Sequence, residues 1–529
     1  MGVLSAAAAV PVLRLVGARW PALFLMPLGG SVIASAAGAC SLVITGSIVP
    51  WFFGIAAVVS AGVAAQWAWA VRRRPPDPTG RPSPSPSPPS PSPSPSPSAS
   101  DRLVGAAGLV VVVATVAWSL RPLRAPSVGW DARAIWLLRG AWFADGHQAL
   151  RAGFANPQLL LAHVAYPPLV SATAGFSWSL TGDRSDRLGV VIVSLLTACA
   201  VAALAWVLVE AGRLAAARLA DRRGSPPGDD VHGSRATPWA IVPAAAGVVV
   251  AGLFVLATFG VIGPFATNGY ADPLWSIAAA GAIGYGLCLP LRKKYTAMAA
   301  ILLAVCGLTK VEGTATAAGI IVLLVARWVA SVWRRPEGAD GTSIRSWRPV
   351  WAPVLTGVGG LIALEVWPQL TKLVHATRDV NTSGARQGTL SSRAHLTFDA
   401  MTPHLHVLLL AVPVAVVGGM LLARNRRRLG LANDLWAWAG LAVGLVAVAG
   451  AYVTGPGDTA GWLLTSVHRT TMFPAIAAWL IVALWAVVGM AGAGPASVPT
   501  MAHPARPTVA QPVTPLSGAR RAVAEGRAR

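Results

Sequence analysis

The sequence predicts an all-α protein, a polytopic bundle of about twelve transmembrane helices, with interfacial helices in its first large extracytoplasmic loop. Hydrophobic residues make up 54% of the chain and charged residues only 12%, whereas a soluble domain carries about 25% charged residues. Apolar runs of roughly 18 to 23 residues recur along most of the sequence, and a helix of that length crosses a bilayer. The alternating polarity of a transmembrane β-barrel is missing from the sequence.

The formal net charge of +22 does not indicate a nucleic-acid partner. Lys and Arg cluster in the short loops between apolar runs, where the positive-inside rule explains them. The partner that these runs indicate is the lipid bilayer. The cysteines lie inside apolar runs, and their spacing fits neither a metal site nor a disulfide framework, so we interpret them as small packing residues.

The N-terminal part, residues 1–74, contains predicted spans near 22–45 and 48–71. A cleaved signal peptide is not expected, because the second span follows closely and no cleavage site stands out. The stretch 75–100 is almost entirely Pro and Ser, a composition that favours an extended, disordered cytoplasmic linker. This linker is either a tether or docking segment, or low-complexity drift.

A larger domain, residues 101–490, holds the other predicted spans, and a disordered, basic cytoplasmic tail, residues 491–529, follows it. The segment 169–180 is apolar but short and starts after a Tyr-Pro-Pro turn, so we interpret it as an interfacial or re-entrant helix. The spans lie near 103–120, 188–209, 239–262, 273–290, 295–309, 314–330, 350–367, 404–422, 434–453 and 470–490.

The positive-inside rule selects this topology. With 169–180 left out of the span count, the basic clusters at 213–223, 292–294, 334–348 and 424–428 all fall in cytoplasmic loops. Counting that segment as a span would invert every later loop. Both termini are then cytoplasmic, and we expect a multi-pass protein of a bacterial plasma membrane with its unusual polar residues on the outer face.

Asp131 lies in the element Gly-Trp-Asp-Ala-Arg-Ala-Ile-Trp at 129–136, after the first span of this domain. It either caps the amphipathic segment 132–144 or acts as a general base that takes a proton from an acceptor hydroxyl. The two roles are compatible, because a helix N-terminus also stabilises an anion.

Two further candidates lie beside prolines at helix entrances. Tyr166 begins a Tyr-Pro-Pro turn whose prolines fix the chain direction, and it either serves the turn or lines a pocket. Asp272 precedes Pro273 and either caps the next helix or supplies a second carboxylate. That carboxylate would orient the acceptor or help to hold a divalent cation.

Lys310 and Glu312 interrupt the apolar stretch 297–330. They form either a solvated turn or a functional pair, since ionisable groups near membrane depth are costly; the lysine would neutralise a phosphate and the glutamate would orient it. Arg469, with His468 beside it, either anchors the last span at the interface or binds a phosphate in bidentate fashion.

The outer loop 368–403 is basic and polar. It either covers a lipid phosphate or is a mobile loop. Its candidate residues are Lys372, His375, Arg378, Arg386, Arg393 and His395.

Five sequence elements resemble, in their order, the GT-C superfamily of membrane glycosyltransferases, which take sugars from polyprenyl-phosphate carriers. Within this superfamily, the resemblance is to protein mannosyltransferases, aminoarabinose transferases of lipid A and related bacterial enzymes. The resemblance covers 103–490 and rests on GWDARAIW at 129–136, AYPPL at 165–169, GYADPL at 269–274, LTKVEG at 308–313 and SVHRTTMFP at 466–474.

The resemblance implies a catalytic aspartate in the first large outer loop, which matches Asp131, and a second acid in the next outer loop, which matches Asp272. It also implies basic residues that bind the donor phosphate, which match Lys310 and Arg469. Many relatives carry two adjacent acids at the first site, whereas Ala132 follows Asp131 here.

The sequence thus favours an integral-membrane glycosyltransferase. The enzyme would move a sugar from a polyprenyl-phosphate carrier to an extracytoplasmic hydroxyl of a lipid, a glycan or a protein. The alternative is a transporter or flippase of a lipid-linked envelope precursor, although such proteins place charged sites near the membrane midplane and often contain inverted repeats. A scaffold that docks through the Pro/Ser linker is a third candidate.

Overall fold

A computed structural model describes most of the chain, and the described residues are predominantly α-helical. Apart from one isolated bridge between Arg386 and Gly457, the described ranges contain no β-structure. The predicted all-α class is therefore confirmed. The described residues are 1–16, 19–44, 46–72, 99–124, 127–223, 241–333, 364, 367–372, 376, 386–428, 431 and 434–492.

The helices follow the hydropathy of the sequence closely. Those before residue 230 are α1 (Gly2–Val16), α2 (Arg19–Ile44), α3 (Ile48–Arg72), α4 (Ala99–Ser119), α5 (Leu138–Asp145), α6 (His147–Ala155), α7 (Leu169–Thr181) and α8 (Asp186–Arg223). Those after it are α9 (Ile241–Ala266), α10 (Asp272–Ile283), α11 (Lys293–Thr309), α12 (Val311–Trp333), α13 (Leu390–Met401), α14 (His406–Arg428), α15 (Asp434–Thr454), α16 (Thr459–Thr470) and α17 (Met472–Gly492).

Eight stretches of the described chain are helical, long and apolar enough to cross a membrane. They belong to α2, α3, α4, α8, α9, α12, α15 and the consecutive pair α16–α17. The membrane class is therefore confirmed, whereas the count of about twelve spans stays a prediction. Near 273–290 and 295–309 the structure has the shorter helices α10 and α11, and most of the predicted span 350–367 lies outside the described residues.

Helix α10 lies in the centre of the bundle and continues as a π-helix over Gly284–Cys288. All of its residues are buried, and α8, α9, α11, α12 and α17 pack around it. A helix that is apolar on all sides belongs in such a core. Its first residue is Asp272, and Pro273 occupies the first turn as predicted, where the missing N–H is tolerated.

The bundle has two chemically different ends. We call the end at which α10 and α12 begin the site end, and the other the basic end. At the basic end Glu210 is buried and accepts hydrogen bonds from Lys294 Nζ at 2.9 Å and Tyr295 Oη at 2.8 Å, with Arg213 Nη1 at 3.3 Å. Exposed basic residues at 292–293 adjoin them.

Helix α7 corresponds to the short segment 169–180. Its 13 residues extend about 20 Å, less than the hydrocarbon thickness of about 30 Å. Both of its flanks lie at the site end, because Tyr166 precedes it beside Lys310 and Asp186 follows it beside Arg133. Its residues from 169 to 178 are all buried, so the helix is enclosed by protein, against α2 and α5.

Candidate functional site

Five of the predicted site residues form one continuous chain of ion pairs. Arg469 Nη1 contacts the carboxylates of Asp131 and Asp272, the latter at 3.5 Å. The other carboxylate oxygen of Asp272 lies 2.7 Å from Lys310 Nζ, which in turn lies 3.3 Å from Glu312 Oε1. Four separate segments, 338 positions apart at the extremes, therefore meet at the site end.

Helix boundaries place these side chains. Asp272 opens α10, Glu312 lies in the first turn of α12, and Arg469 lies in the last turn of α16. Lys310 is the single extended residue between α11 and α12, with φ −152° and ψ 155°. Because the chain reverses at that residue, its side chain reaches back to the start of α10.

The middle of the chain of ion pairs is buried and its two ends are partly open. The side chains of Asp272, Lys310 and Arg469 are 2%, 6% and 9% exposed, against 22% for Asp131 and 17% for Glu312. A solvated turn at Lys310 and an interfacial anchor at Arg469 are therefore both excluded by burial. Paired burial of this kind is typical of ionisable groups retained for a function.

Electrostatics keep the central pair ionised. Burial lowers the pKa of Lys310, but the carboxylates of Asp272 and Glu312 outweigh it, so that the pKa lies well above its ordinary value. Burial raises the pKa of Asp272, but the charges of Lys310 and Arg469 outweigh it, so that the pKa lies below its ordinary value. Both groups are consequently charged at neutral pH.

Neither aspartate acts as a helix cap. The side chain of Asp131 makes no capping hydrogen bond at the start of its helix. The start of α10, whose first residue is Asp272, has no side-chain capping hydrogen bond either. Their carboxylates instead contact the cations of the chain of ion pairs. Capping alone therefore does not explain why either acid is present.

Asp131 precedes a segment of unusual geometry. Residues 132–137 form a π-helix, which runs directly into α5. The turn before it is held by the Gly129 amide, which donates to the Asn268 carbonyl at 2.9 Å. A side chain at Gly129 would collide with the ring of Tyr270, so this glycine permits the close approach.

Tyr270 fixes the guanidinium of Arg469. The arginine Cζ lies 4.8 Å from the centroid of the Tyr270 ring, a cation–π distance, and Arg469 Nη2 donates to the Thr465 carbonyl at 3.2 Å. Burial and the Asp131 carboxylate raise the pKa of Tyr270. Sequence reasoning missed this residue, although it lies in the GYADPL element that contains Asp272.

Tyr166 belongs to a stack of rings. Its ring lies between those of Trp136 and His163, with centroid distances of 5.5 and 4.7 Å, and Lys310 Nζ lies 5.6 Å from its centroid. The buried Arg139 donates to the carbonyls of His163 at 3.1 Å and Tyr166 at 2.7 Å, which fixes this turn. Tyr166 is thus adjacent to the chain of ion pairs.

His468 is next to Arg469 in sequence but faces elsewhere. It is exposed, and its ring contacts are with Phe265 at 5.3 Å and His404 at 6.5 Å between centroids. Its predicted contact with substrate stays a prediction.

The basic residues of the loop 368–403 differ in their burial. Arg393 is buried and donates to carbonyls of Tyr452 at 2.8 Å and Gly457 at 3.1 Å, which makes it a support for the end of α15. Lys372, Arg386 and His395 are exposed. The remaining candidates, His375 and Arg378, lie outside the described residues.

The predicted divalent cation finds no ligand set in the part of the chain that the structure describes. No three His, Cys, Asp or Glu residues there are grouped so that they could hold a metal ion. Asp131 and Asp272 are joined through Arg469 instead, and we assign no step to a cation.

Comparisons with known proteins found no match. No family model, curated protein or solved structure matches it. Its function must therefore be inferred from the chemistry of the site.

Proposed function

We propose that this protein is an integral-membrane glycosyltransferase that moves a sugar from a polyprenyl-phosphate carrier to an acceptor hydroxyl. One observation carries the proposal: a largely buried chain of alternating acids and bases, from Asp131 to Glu312, adjoins the start of α12 and includes Arg469 within α16–α17, and both of these helical stretches are of membrane length. Charges so placed serve a substrate that is itself part lipid and part anion.

Lys310 and Arg469 are the residues that would hold the donor phosphate. Both are buried cations at helix boundaries, and both are held in place by Asp272. A fixed cation stabilises the negative charge that develops on a departing phosphate without reorganisation at the moment of reaction. An arginine also presents paired N–H groups that match phosphate oxygens.

Asp131 is the residue that would activate the acceptor. It is the most exposed acid of the chain of ion pairs, and a carboxylate at that place can accept a proton from a hydroxyl. In the transfer, the sugar C1–O bond to the phosphate breaks as the bond from C1 to the acceptor oxygen forms. The hydroxyl proton passes to Asp131, and the carrier phosphate leaves with the bonding electron pair.

The acceptor in this proposal is a hydroxyl of a lipid, a glycan or a protein. We further propose that the site end faces the outside of a bacterial plasma membrane and that both termini lie in the cytoplasm. The support is charge, because the described basic residues Arg213, Lys293 and Lys294 lie at the opposite end and the positive-inside rule favours that end for the cytoplasm.

The test is sugar transfer in membranes that carry a radiolabelled pool of polyprenyl-phosphate sugars. We expect Asp131→Asn to lower transfer about 100- to 10,000-fold, as loss of a general base does. Asp186→Asn is the matched control, since this carboxylate is more exposed and lies 3.0 Å from Arg133 at the same end. Undiminished transfer by a stably folded Asp131→Asn protein would refute the role of Asp131. Absence of transfer by the wild type with every acceptor tested would refute the proposed glycosyltransferase activity. Movement of the labelled lipid between leaflets without transfer would favour a flippase.

A further inference from the structure

Arg469 contacts two carboxylates, one carbonyl and one aromatic ring in this structure. Its Nη1 contacts both aspartates, its Nη2 contacts the Thr465 carbonyl, and the Tyr270 ring covers one face. A phosphate that approaches Nη1 of the guanidinium therefore competes with a carboxylate for the same N–H groups.

The net charge of the site also indicates that a phosphate and a carboxylate compete for Arg469. The chain of ion pairs contains three acids, Asp131, Asp272 and Glu312, and two bases, Lys310 and Arg469. Its formal charge is therefore −1, and a phosphate would make it more negative in a largely buried place. Burying like charges together is unfavourable, so an anion binds readily only if one carboxylate leaves.

Asp131 is the carboxylate that can leave. Asp272 is 2% exposed and is held by Lys310 as well as by Arg469. Asp131 is 22% exposed, and Arg469 is the partner that the structure gives it. Its departure therefore leaves Arg469 still oriented by Asp272.

The adjacent π-helix gives Asp131 a way to move. The segment Ala132–Leu137 contains the wider turn of a π-helix, and such turns are rare and occur frequently at functional sites. Trp136 is buried and stacked on Tyr166, so the far end of the segment is fixed. Because Gly129 is held as well, by the Asn268 carbonyl, a change from π- to α-helical hydrogen bonding would displace the residues between Gly129 and Trp136, Asp131 among them.

We infer that the Asp131–Arg469 ion pair is an autoinhibitory lock, which an incoming lipid phosphate opens by taking the place of Asp131 on Arg469. The inference rests on the proposed function. Opening of the ion pair has two consequences. The phosphate binds the guanidinium of Arg469, and Asp131 becomes free to accept the proton of the acceptor hydroxyl. The acid is thus active only when the donor is bound, which protects the site from unproductive chemistry.

The first measurement is binding of geranylgeranyl phosphate to the full-length protein in detergent, with inorganic phosphate as a second ligand. If the lock is closed in about nine molecules of ten, its loss lowers the dissociation constant about tenfold. We expect that gain in Asp131→Asn but not in Asp186→Asn, which removes a negative charge at the same end without touching Arg469. If Asp131→Asn binds both ligands more tightly, the phosphate group alone displaces Asp131. If only geranylgeranyl phosphate binds more tightly, displacement requires the phosphate of a lipid headgroup.

The second measurement is amide hydrogen exchange of residues 130–137 in the wild type. Addition of geranylgeranyl phosphate should increase exchange there, and in Asp131→Asn the exchange should be high before any ligand is added. Equal dissociation constants in wild type and Asp131→Asn, or unchanged exchange on binding, overturn the lock but not the transferase, which the transfer assay judges separately. Absence of phosphate binding by all three proteins overturns the anion site and the transferase with it.

Discussion

Replacement of Lys310 by methionine tests whether the buried ion pair holds the site end together. Methionine preserves the length and apolar stem of the side chain and removes only its charge. Asp272 then loses its partner at 2.7 Å and keeps only Arg469 at 3.5 Å, while it remains 2% exposed. The variant therefore contains a buried carboxylate with incomplete compensation.

The expected cost follows from that geometry. Removal of one partner of a buried ion pair costs about 3 to 5 kcal/mol. Because Arg469 still contacts Asp272 and Glu312 is 17% exposed, we expect the lower limit, about 3 kcal/mol of unfolding free energy. In the double variant Lys310→Met/Asp272→Asn the uncompensated carboxylate is gone, and the two effects should be non-additive by about 2 kcal/mol.

The assay is reversible unfolding of the purified protein in mixed micelles, followed by helical circular dichroism. Lys294→Met is the matched control: its ammonium also contacts a buried carboxylate, at 2.9 Å, but it is 31% exposed and Glu210 keeps Arg213 and Tyr295. The control should lose about 1 kcal/mol. Equal losses in the two single variants, or simple additivity in the double variant, would refute the reasoning.

Three other outcomes are expected in the same micelles. Arg393→Met leaves several carbonyls at the end of α15 without their donor, so its free energy of unfolding should fall by about 3 kcal/mol; an unchanged midpoint would show that other donors replace it. Gly175→Ala places a methyl carbon 2.6 Å from Phe143 Cβ and should cost about 2 kcal/mol, whereas Gly105→Ala, with open space around it, should be neutral or stabilising by up to about 1 kcal/mol. Because the folded pKa of Asp272 lies below its ordinary value, about 3.9, its ion pairs stabilise the protein fully above that pH and lose the effect as pH falls through the folded pKa. The stability difference between wild type and Asp272→Asn should therefore shrink in acid, and a difference that grew in acid would contradict the assignment.

The fold class and the location of the charges could be predicted from the sequence, because hydropathy along a membrane helix is a local property. Each loop in which a polar residue interrupts an apolar run was visible, and Asp131, Asp272, Lys310, Glu312 and Arg469 were all singled out. The pairing of these residues was not visible. Nothing local states that Arg469 reaches back 338 positions to Asp131, since that contact depends on how the helices pack.

Three other features could not be predicted from the sequence, for physical reasons. The capping alternatives for the two aspartates were reasonable, because Asp at a helix start accepts backbone N–H bonds in most proteins, but a neighbouring guanidinium is the stronger partner. The π-helical turn at 132–137 has no composition that marks it. In the sequence Tyr270 is an ordinary aromatic residue near a membrane interface, and only its distance from Arg469 gives it a role.

The packing of α2 bears on how the protein is assembled during synthesis. This helix packs against α7, α8 and α11, which follow much later in the chain, and Gly38 lies in the contact with Ala172. Individual helices insert first and associate afterwards, so α2 can pack only against α1 and α3 until those later partners are made. Its buried Ser31 and Ser41 hydroxyls donate to carbonyls of their own helix, at 2.9 and 2.8 Å. The first helices can therefore persist in the bilayer as an incomplete bundle, and the later helices complete the packing against them.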